Sequence, residues 1–106
     1  MTVAVAYAMA SATSGTVEYE VAVEAITEAD AVDTDAASSF DTINNVTETV
    51  PGTAGYLSIL TGTLANKDAM AAGDMIRLSL ARDADDGTND TATGDARVYW
   101  VAIYEA

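Results

Sequence analysis

The residues whose types could do chemistry are concentrated in one loop, residues 83–95. This loop carries five aspartates, Asp83, Asp85, Asp86, Asp90 and Asp95. Clustered carboxylates suit calcium, which takes about six to eight oxygen ligands. The spacing does not fit the EF-hand pattern, because Gly87 falls at the fifth position and no glutamate follows at the required distance. We therefore interpret the loop as a solvated acidic turn with Asp side chains capping backbone amides, and we expect no metal and no cofactor.

Paired carboxylates could also hydrolyse glycosidic bonds. With 17 acidic residues some pair is always close, so proximity alone does not identify a catalytic pair. Catalytic carboxylates need desolvation to shift their pKa, whereas almost all acids here lie in predicted turns or at water-facing strand positions. The chain has no His and no Cys, which removes the commonest general base, the Ser–His pair and thiolate metal sites. We expect no catalytic residue and no enzymatic activity.

The charge of the chain limits its partners. Four Lys and Arg residues face 17 Asp and Glu residues, giving a net charge of −13. Such a chain repels nucleic acid and anionic membranes, so we expect neither as a partner. The charge suits solubility or a marine or halophilic environment in which salt screens self-repulsion. No run of about 18 apolar residues predicts a membrane span, and the N-terminus does not read as a signal peptide.

The elements that would position the loop are β-strands. Thr2–Met9 and Thr16–Ile26 alternate with period two, and the second segment places Glu18, Glu20 and Glu24 on a face that we expect to meet water. Further strands are predicted over residues 42–50, 56–64, 75–82 and 98–104. Six strands separated by polar turns predict a single domain, residues 1–106, with an all-β antiparallel sandwich of jelly-roll type.

Fewer structural features are predicted for the segments that connect the strands. Residues 27–39 are expected to form a loop whose end Phe40 anchors in the core, and Asn44–Asn45 would mark a bulge or turn. Residues 66–70 could form a helical turn ending at Gly73. Arg82 and Asp83 flank one end of the acidic loop and Asp95 the other.

Arg82 could therefore reach Asp95 or Asp90 and fix the loop, a contribution of about 0.2–1 kcal/mol for a partly exposed pair. We assign Arg82, Asp83, Asp90 and Asp95 a structural role.

The last strand offers a different kind of site. If Tyr99, Val101 and Ile103 face the core, then Val98, Trp100 and Tyr104 share the opposite face. Large aromatics on an acidic surface typically mark a partner surface, and Trp and Tyr are enriched at interface hot spots. The alternative is a strand buried on both faces within its own fold. We expect an intersubunit interface at Val98, Trp100 and Tyr104.

Five segments, in this order, carry a family resemblance: TVAVAY (residues 2–7), TSGTVEYEVAVE (13–24), DAASSF (35–40), AGDMIRLSLARD (72–83) and DTATGDARVYWVAI (90–103). The ordered set resembles a family of jelly-roll-like β-sandwich modules in proteins of tailed phages and prophages, with Tyr7 and Tyr19 standing where Trp is usual. Family domains usually carry another strand before the first segment. The resemblance therefore implies a smaller sandwich or an edge completed by a neighbouring subunit.

The resemblance implies a structural virion protein of a tailed virus. We expect an exterior capsid decoration protein, since a lone domain of this length has no shaft or anchor segment. By analogy with virion sandwich modules it would form a homotrimer on the outside of the particle and contact capsid or tail proteins. The alternatives are a tail-fibre or tail-tip domain that binds the host, and a carbohydrate-binding module whose aromatics stack on sugars and whose acidic loops hold calcium.

Overall fold

The computed structural model describes residues 1–34 and 39–105, which form two three-stranded sheets in the orders β4-β1-β6 and β3-β2-β5. The strands are β1 Thr2–Met9, β2 Thr16–Ile26, β3 Asn44–Thr49, β4 Ser58–Thr63, β5 Met75–Arg82 and β6 Ala96–Tyr104. All neighbouring strands are antiparallel. The predicted all-β antiparallel sandwich is confirmed, and the jelly-roll connectivity stays a prediction. No helix in the described residues is long and apolar enough to cross a membrane.

The core lies between β1 and β2, the central strands of the two sheets. Alternate residues of each strand point inward and are fully or almost fully buried: Val3, Val5, Tyr7, Met9, Val17, Tyr19, Val21 and Val23. The rings of Tyr7 and Tyr19 meet edge to face with centroids 5.9 Å apart, a favoured aromatic geometry. The period of two therefore builds the core directly from the sequence.

The two sheets meet closely on the β3–β4 side. A Cβ atom on Gly62 of β4 would overlap the side chain of Val46 on β3, so glycine permits the approach. Glu48 of β3 also points inward there, because its register partner is the buried Val17. Its Oε2 atom accepts hydrogen bonds from the hydroxyl of Tyr7 at 2.6 Å and that of Ser58 at 2.8 Å. Burial and the Glu48 carboxylate raise the pKa of Tyr7.

The β5–β6 side is more open. Leu78 of β5 and Val98 of β6 pair with inward-facing residues of the central strands, yet their exposed fractions are 39% and 41%. The apolar interior of the sandwich therefore reaches solvent between these two strands.

A bulge in β6 changes the predicted faces of that strand. Ala6 pairs with Trp100 and Tyr7 pairs with Val98, so Tyr99 is an extra residue. An extra residue reverses the alternation beyond it. The expectation that Tyr99 faces the core is wrong, since its exposed fraction is 58%. The expectation that Val98 shares a face with Trp100 is wrong for the same reason, because Val98 lies on the side of the inward-facing Tyr7.

Two predictions about the connections fail. Phe40 is exposed and does not anchor the core; the next amide, of Asp41, bonds the carbonyl oxygen of Val23 at the margin of the sheet. The helical turn before Gly73 does not form, because Asp68 and Ala69 adopt left-handed backbone angles. Residues 35–38, part of the loop predicted over 27–39 and of the motif at 35–40, lie outside the described residues.

The predicted bulge or turn at Asn44–Asn45 is instead the start of β3. Asn44 is buried, and its Nδ2 donates to the carbonyl oxygens of Val21 and Asn66, each at 3.0 Å. Its Oδ1 accepts from the amide of Asn66 at 2.8 Å. The side chain thus fixes the connection that follows β4.

Candidate functional site

The acidic loop lies along the first residues of β2. Strand β5 pairs with β2 only from Tyr19 onward. Beside the residues of β2 that precede Tyr19, the acidic loop takes the place of β5. The amide of Asp83 donates to the carbonyl oxygen of Glu18, and the amides of Thr91 and Ala92 both donate to the carbonyl oxygen of Thr16. The loop therefore continues the edge of the sheet and covers the outer side of β2.

Arg82 fixes this loop through Asp90. Its Nε donates to Oδ2 at 3.0 Å and its Nη2 to Oδ1 at 2.8 Å, and the guanidinium also bonds the carbonyl oxygens of Ala92 and Gly94. Burial alone would raise the pKa of Asp90, but the hydrogen bonds from Arg82 outweigh it and hold that pKa below its usual value. Of the two partners predicted for Arg82, Asp90 forms the bonds, and Asp95 forms none with it in the described residues.

Glu18 is the candidate site residue whose position the sequence analysis predicted wrongly. We expected it to face water, yet its exposed fraction is 3% because the loop covers that side of β2. Burial raises the pKa of Glu18 to about 7, and the carboxylates of Asp86, Asp83 and Glu20 act in the same direction. No local signal could reveal this, since the covering residues lie far along the chain.

Three carboxylates meet under the loop. One oxygen each from Glu18, Asp83 and Asp86 lie within 4.8 Å of one another. Hydrogen bonds fix Asp86: its Oδ1 accepts from the amides of Thr88 and Asn89 at 3.0 and 3.1 Å, and these bonds lower its pKa. The Oε2 atom of Glu18 is buried and has no hydrogen-bond partner among the described residues. We call these three residues the carboxylate cluster.

Glu24, at the other end of β2, was also expected to face water and is also buried. It differs from Glu18 in having a cationic partner, although its Oε1 atom, like Oε2 of Glu18, forms no hydrogen bond with a described residue. Its Oε1 lies 3.5 Å from Nη1 of Arg77, and its Oε2 accepts from the amide of Ser39 at 3.0 Å. Arg77 also donates to the carbonyl oxygen of Thr34. This buried glutamate therefore has a structural explanation that Glu18 lacks.

The second candidate is the outer face of the β4-β1-β6 sheet. Trp100 and Ile59 flank Ala6 from the two neighbouring strands, with exposed fractions of 45% and 48%. Tyr104 follows on the same face, opposite Thr2, and is exposed too. The central strand contributes only small side chains there: Thr2, Ala4, Ala6 and Ala8. We call this surface the apolar face.

Arg97 also belongs to the apolar face, because it pairs with the outward-facing Ala8. It is exposed, and it forms neither an ion pair nor a side-chain hydrogen bond with any described residue. Of the residues that the sequence proposed for an interface, the structure therefore groups Trp100 and Tyr104 with Arg97 and separates them from Val98.

A shallow depression of about 300 Å³ lies at the end of β2. Its lining residues are Ile26, Thr27, Glu28, Ala31, Val32, Thr34, Gly73 and Met75. Glu28 is the one titratable side chain among these lining residues and is exposed. The depression shares no residue with the carboxylate cluster.

No family model, no curated protein and no solved structure matches this chain. Within the described residues, two features carry the functional argument. They are the apolar face and the carboxylate cluster.

Proposed function

We propose that this chain is a structural virion protein of a tailed virus, displayed on the capsid exterior, that assembles with itself through the apolar face. The observation that carries the proposal is the shared exposure of Ile59, Trp100 and Tyr104 on one face of one sheet. Large apolar side chains grouped on a protein with a net charge of −13 are typical of a surface that a partner covers. Burying them removes apolar area from water and favours association.

A second copy of the same chain suits this face. Arg97 lies on it without a counter-ion in the described residues, and the chain carries 17 acidic residues against four basic ones. A neighbouring copy therefore supplies carboxylates more readily than any other charge. The alanines of β1 on this side are already buried by their own chain, so the exposed side chains of Ile59, Trp100 and Tyr104 supply the apolar area that a second copy would cover.

The sheet edges support the same proposal. Strands β5 and β6 each pair with one described strand only, so one edge of each is free. Natural proteins usually cover such edges, since exposed edges template aggregation. The interior is also least covered between β5 and β6. A neighbouring subunit beside β5 and β6 would cover both the free strand edges and the exposed part of the interior. The trimeric state is proposed by analogy with virion sandwich modules.

The test of assembly is the mass of the purified chain in solution, by native mass spectrometry and light scattering. We expect a trimer in the parent protein and a monomer in Trp100→Ala, with the circular dichroism spectrum unchanged. Tyr56→Ala is the matched control, because Tyr56 is an exposed aromatic outside the strands. Assembly should strengthen with added salt, which screens repulsion between acidic copies. A parent chain that stays monomeric at high concentration and high salt overturns the proposal.

The location of the protein separates decoration from the alternatives. Antibody labelling of purified particles should mark the capsid surface. Labelling of the tail tip would support the host-binding alternative. The exposed aromatics Tyr99, Trp100 and Tyr104 also suit stacking on sugar rings, so glycan-array binding that is lost in Trp100→Ala, without any oligomer, would favour a carbohydrate-binding module.

A further inference from the structure

We infer that Glu18, Asp83 and Asp86 form a calcium-binding site. This inference goes beyond the proposed assembly and does not depend on it. Calcium binds oxygen at about 2.3–2.6 Å, so two oxygens on one ion lie at most about 5 Å apart. The three carboxylate oxygens of the cluster lie within 4.8 Å of one another. Small rotations of these side chains would bring all three oxygens onto one ion.

The state of Glu18 is an independent observation that points to a cation. Its Oε2 atom is buried and has no hydrogen donor among the described residues. An isolated buried carboxylate oxygen is costly, because it loses its hydration without a replacement. Its charged neighbours are Asp86, Asp83 and Glu20, all of which are acidic. None of these charged neighbours brings a positive charge to the buried oxygen.

Arg82, which bonds the same Asp90 oxygen as the amide of Glu18, does not supply a positive partner to the Glu18 carboxylate. Arg82 commits its hydrogen bonds to Asp90 and to the carbonyl oxygens of Ala92 and Gly94. Arg82 thus holds the loop in place and forms no ion pair with Glu18, Asp83 or Asp86 among the described residues.

Backbone contacts already fix the three ligands. The amide of Asp83 bonds the carbonyl oxygen of Glu18 at 3.0 Å, and the amide of Asp86 bonds that of Asp83 at 3.2 Å. Two further amides, of Thr88 and Asn89, orient the Asp86 carboxylate. Ligands that are ordered before binding cost less conformational entropy when the ion arrives. Asp83 and Asp86 remain partly exposed, so water can complete the coordination.

The donor set favours calcium over other metals. All three ligands are carboxylates, which suit hard cations, whereas the sequence has no His or Cys for zinc or copper. Magnesium suits the cluster less than calcium does, because magnesium demands near-ideal octahedral geometry at about 2.0–2.1 Å and keeps its bound waters. A proton shared between Glu18 and Asp86 is the competing occupant, since the pKa of Glu18 is raised to about 7 by burial and by Asp86.

The test uses the full chain, stripped with EDTA and studied at pH 7.5 in 0.15 M NaCl, about physiological ionic strength. Calorimetric titration with CaCl₂ should show one saturable site with a Kd of about 1 mM or tighter, the range of weak extracellular calcium modules. Thermal unfolding should shift upward with calcium more than with magnesium at equal ionic strength.

Glu18→Gln and Asp83→Asn should each weaken calcium binding at least tenfold. Asp95→Asn is the matched control, an exposed aspartate of the same loop outside the cluster, and should bind as the parent does. Asp83→Asn keeps the test valid if Glu18→Gln fails to fold, because Asp83 is partly exposed. Absence of binding heat and of a thermal shift at about 10 mM calcium, far above that range, overturns the inference. Equal shifts with calcium and magnesium, or equal binding in Asp83→Asn, would show charge screening only and overturn it too.

Discussion

Arg82 and Asp90 are joined by two hydrogen bonds, Nε to Oδ2 at 3.0 Å and Nη2 to Oδ1 at 2.8 Å. The same Oδ2 atom accepts from the amide of Glu18 at 3.0 Å. One carboxylate therefore connects the end of β5, the acidic loop and the first part of β2. The loop is held by a two-point ion pair, which fixes orientation as well as distance.

Removing Asp90 should destabilise the fold markedly. Asp90→Ala is expected to lower the free energy of unfolding by about 3 kcal/mol, because it leaves a partly buried guanidinium without its counter-ion. Arg82→Lys should cost less but still be measurable, since lysine keeps the charge and loses the planar fork. Urea unfolding measures both, with Arg97→Lys, at an exposed position, as the control. A loss below about 1 kcal/mol for Asp90→Ala would contradict this account.

Stability should fall as the pH rises through the range in which Glu18 titrates. Its folded-state pKa of about 7 lies above the unfolded value of 4.5, so the unfolded chain releases the proton first. In EDTA, between pH 5 and 7, we expect the free energy of unfolding to decrease by up to about 1.4 kcal/mol per pH unit. The groups facing Glu18 are Asp86, Asp83 and Glu20, all acidic, and none reverses the sign.

Glu18→Gln is the control for this pH dependence. Glutamine does not titrate, so the slope between pH 5 and 7 should largely disappear. Asp90, whose pKa is lowered, contributes with the opposite sign, and its contribution is lost only as the pH falls below the usual range of an aspartate. Parallel curves for the parent and Glu18→Gln would show that Glu18 is not the group responsible.

A third prediction concerns the close approach of β3 and β4 at Gly62. Gly62→Ala should lower the free energy of unfolding by about 1–3 kcal/mol, because its Cβ would overlap Val46. The double variant Gly62→Ala with Val46→Ala should recover part of that loss, since the second change removes the overlapping atoms. Gly52→Ala is the matched control, because its Cβ meets no atom within 4 Å. Strictly additive effects of the two changes would exclude the overlap as the cause.

The sequence predicted those parts of the fold that local alternation specifies. The bounds of β1, β2 and β5 agree residue for residue with the prediction, because alternation of apolar residues is visible within each strand. The Arg82–Asp90 pair was foreseen as one of two options, since both residues flank the acidic loop. Trp100 and Tyr104 were correctly placed on one face because no irregularity separates them.

The remaining features depend on partners distant in the chain. The bulge at Tyr99 exists only relative to β1, so β6 alone gives no sign of it. Alternation places Glu18 on the outer side of β2 but does not say that the acidic loop covers that side. The carboxylate cluster therefore escaped prediction, because its most buried carboxylate, that of Glu18, comes from β2 and the other two come from the loop.

The pairing of β1 with β6 joins Thr2 to Tyr104, almost the two ends of the described chain. During synthesis, the β4-β1-β6 sheet cannot close until β6 has left the ribosome. Contacts of such large sequence separation slow folding, typically to milliseconds or seconds in all-β domains. Until then the apolar strand β1 lacks one neighbour, and the mutual repulsion of nascent chains with a net charge of −13 keeps those strands from pairing with one another.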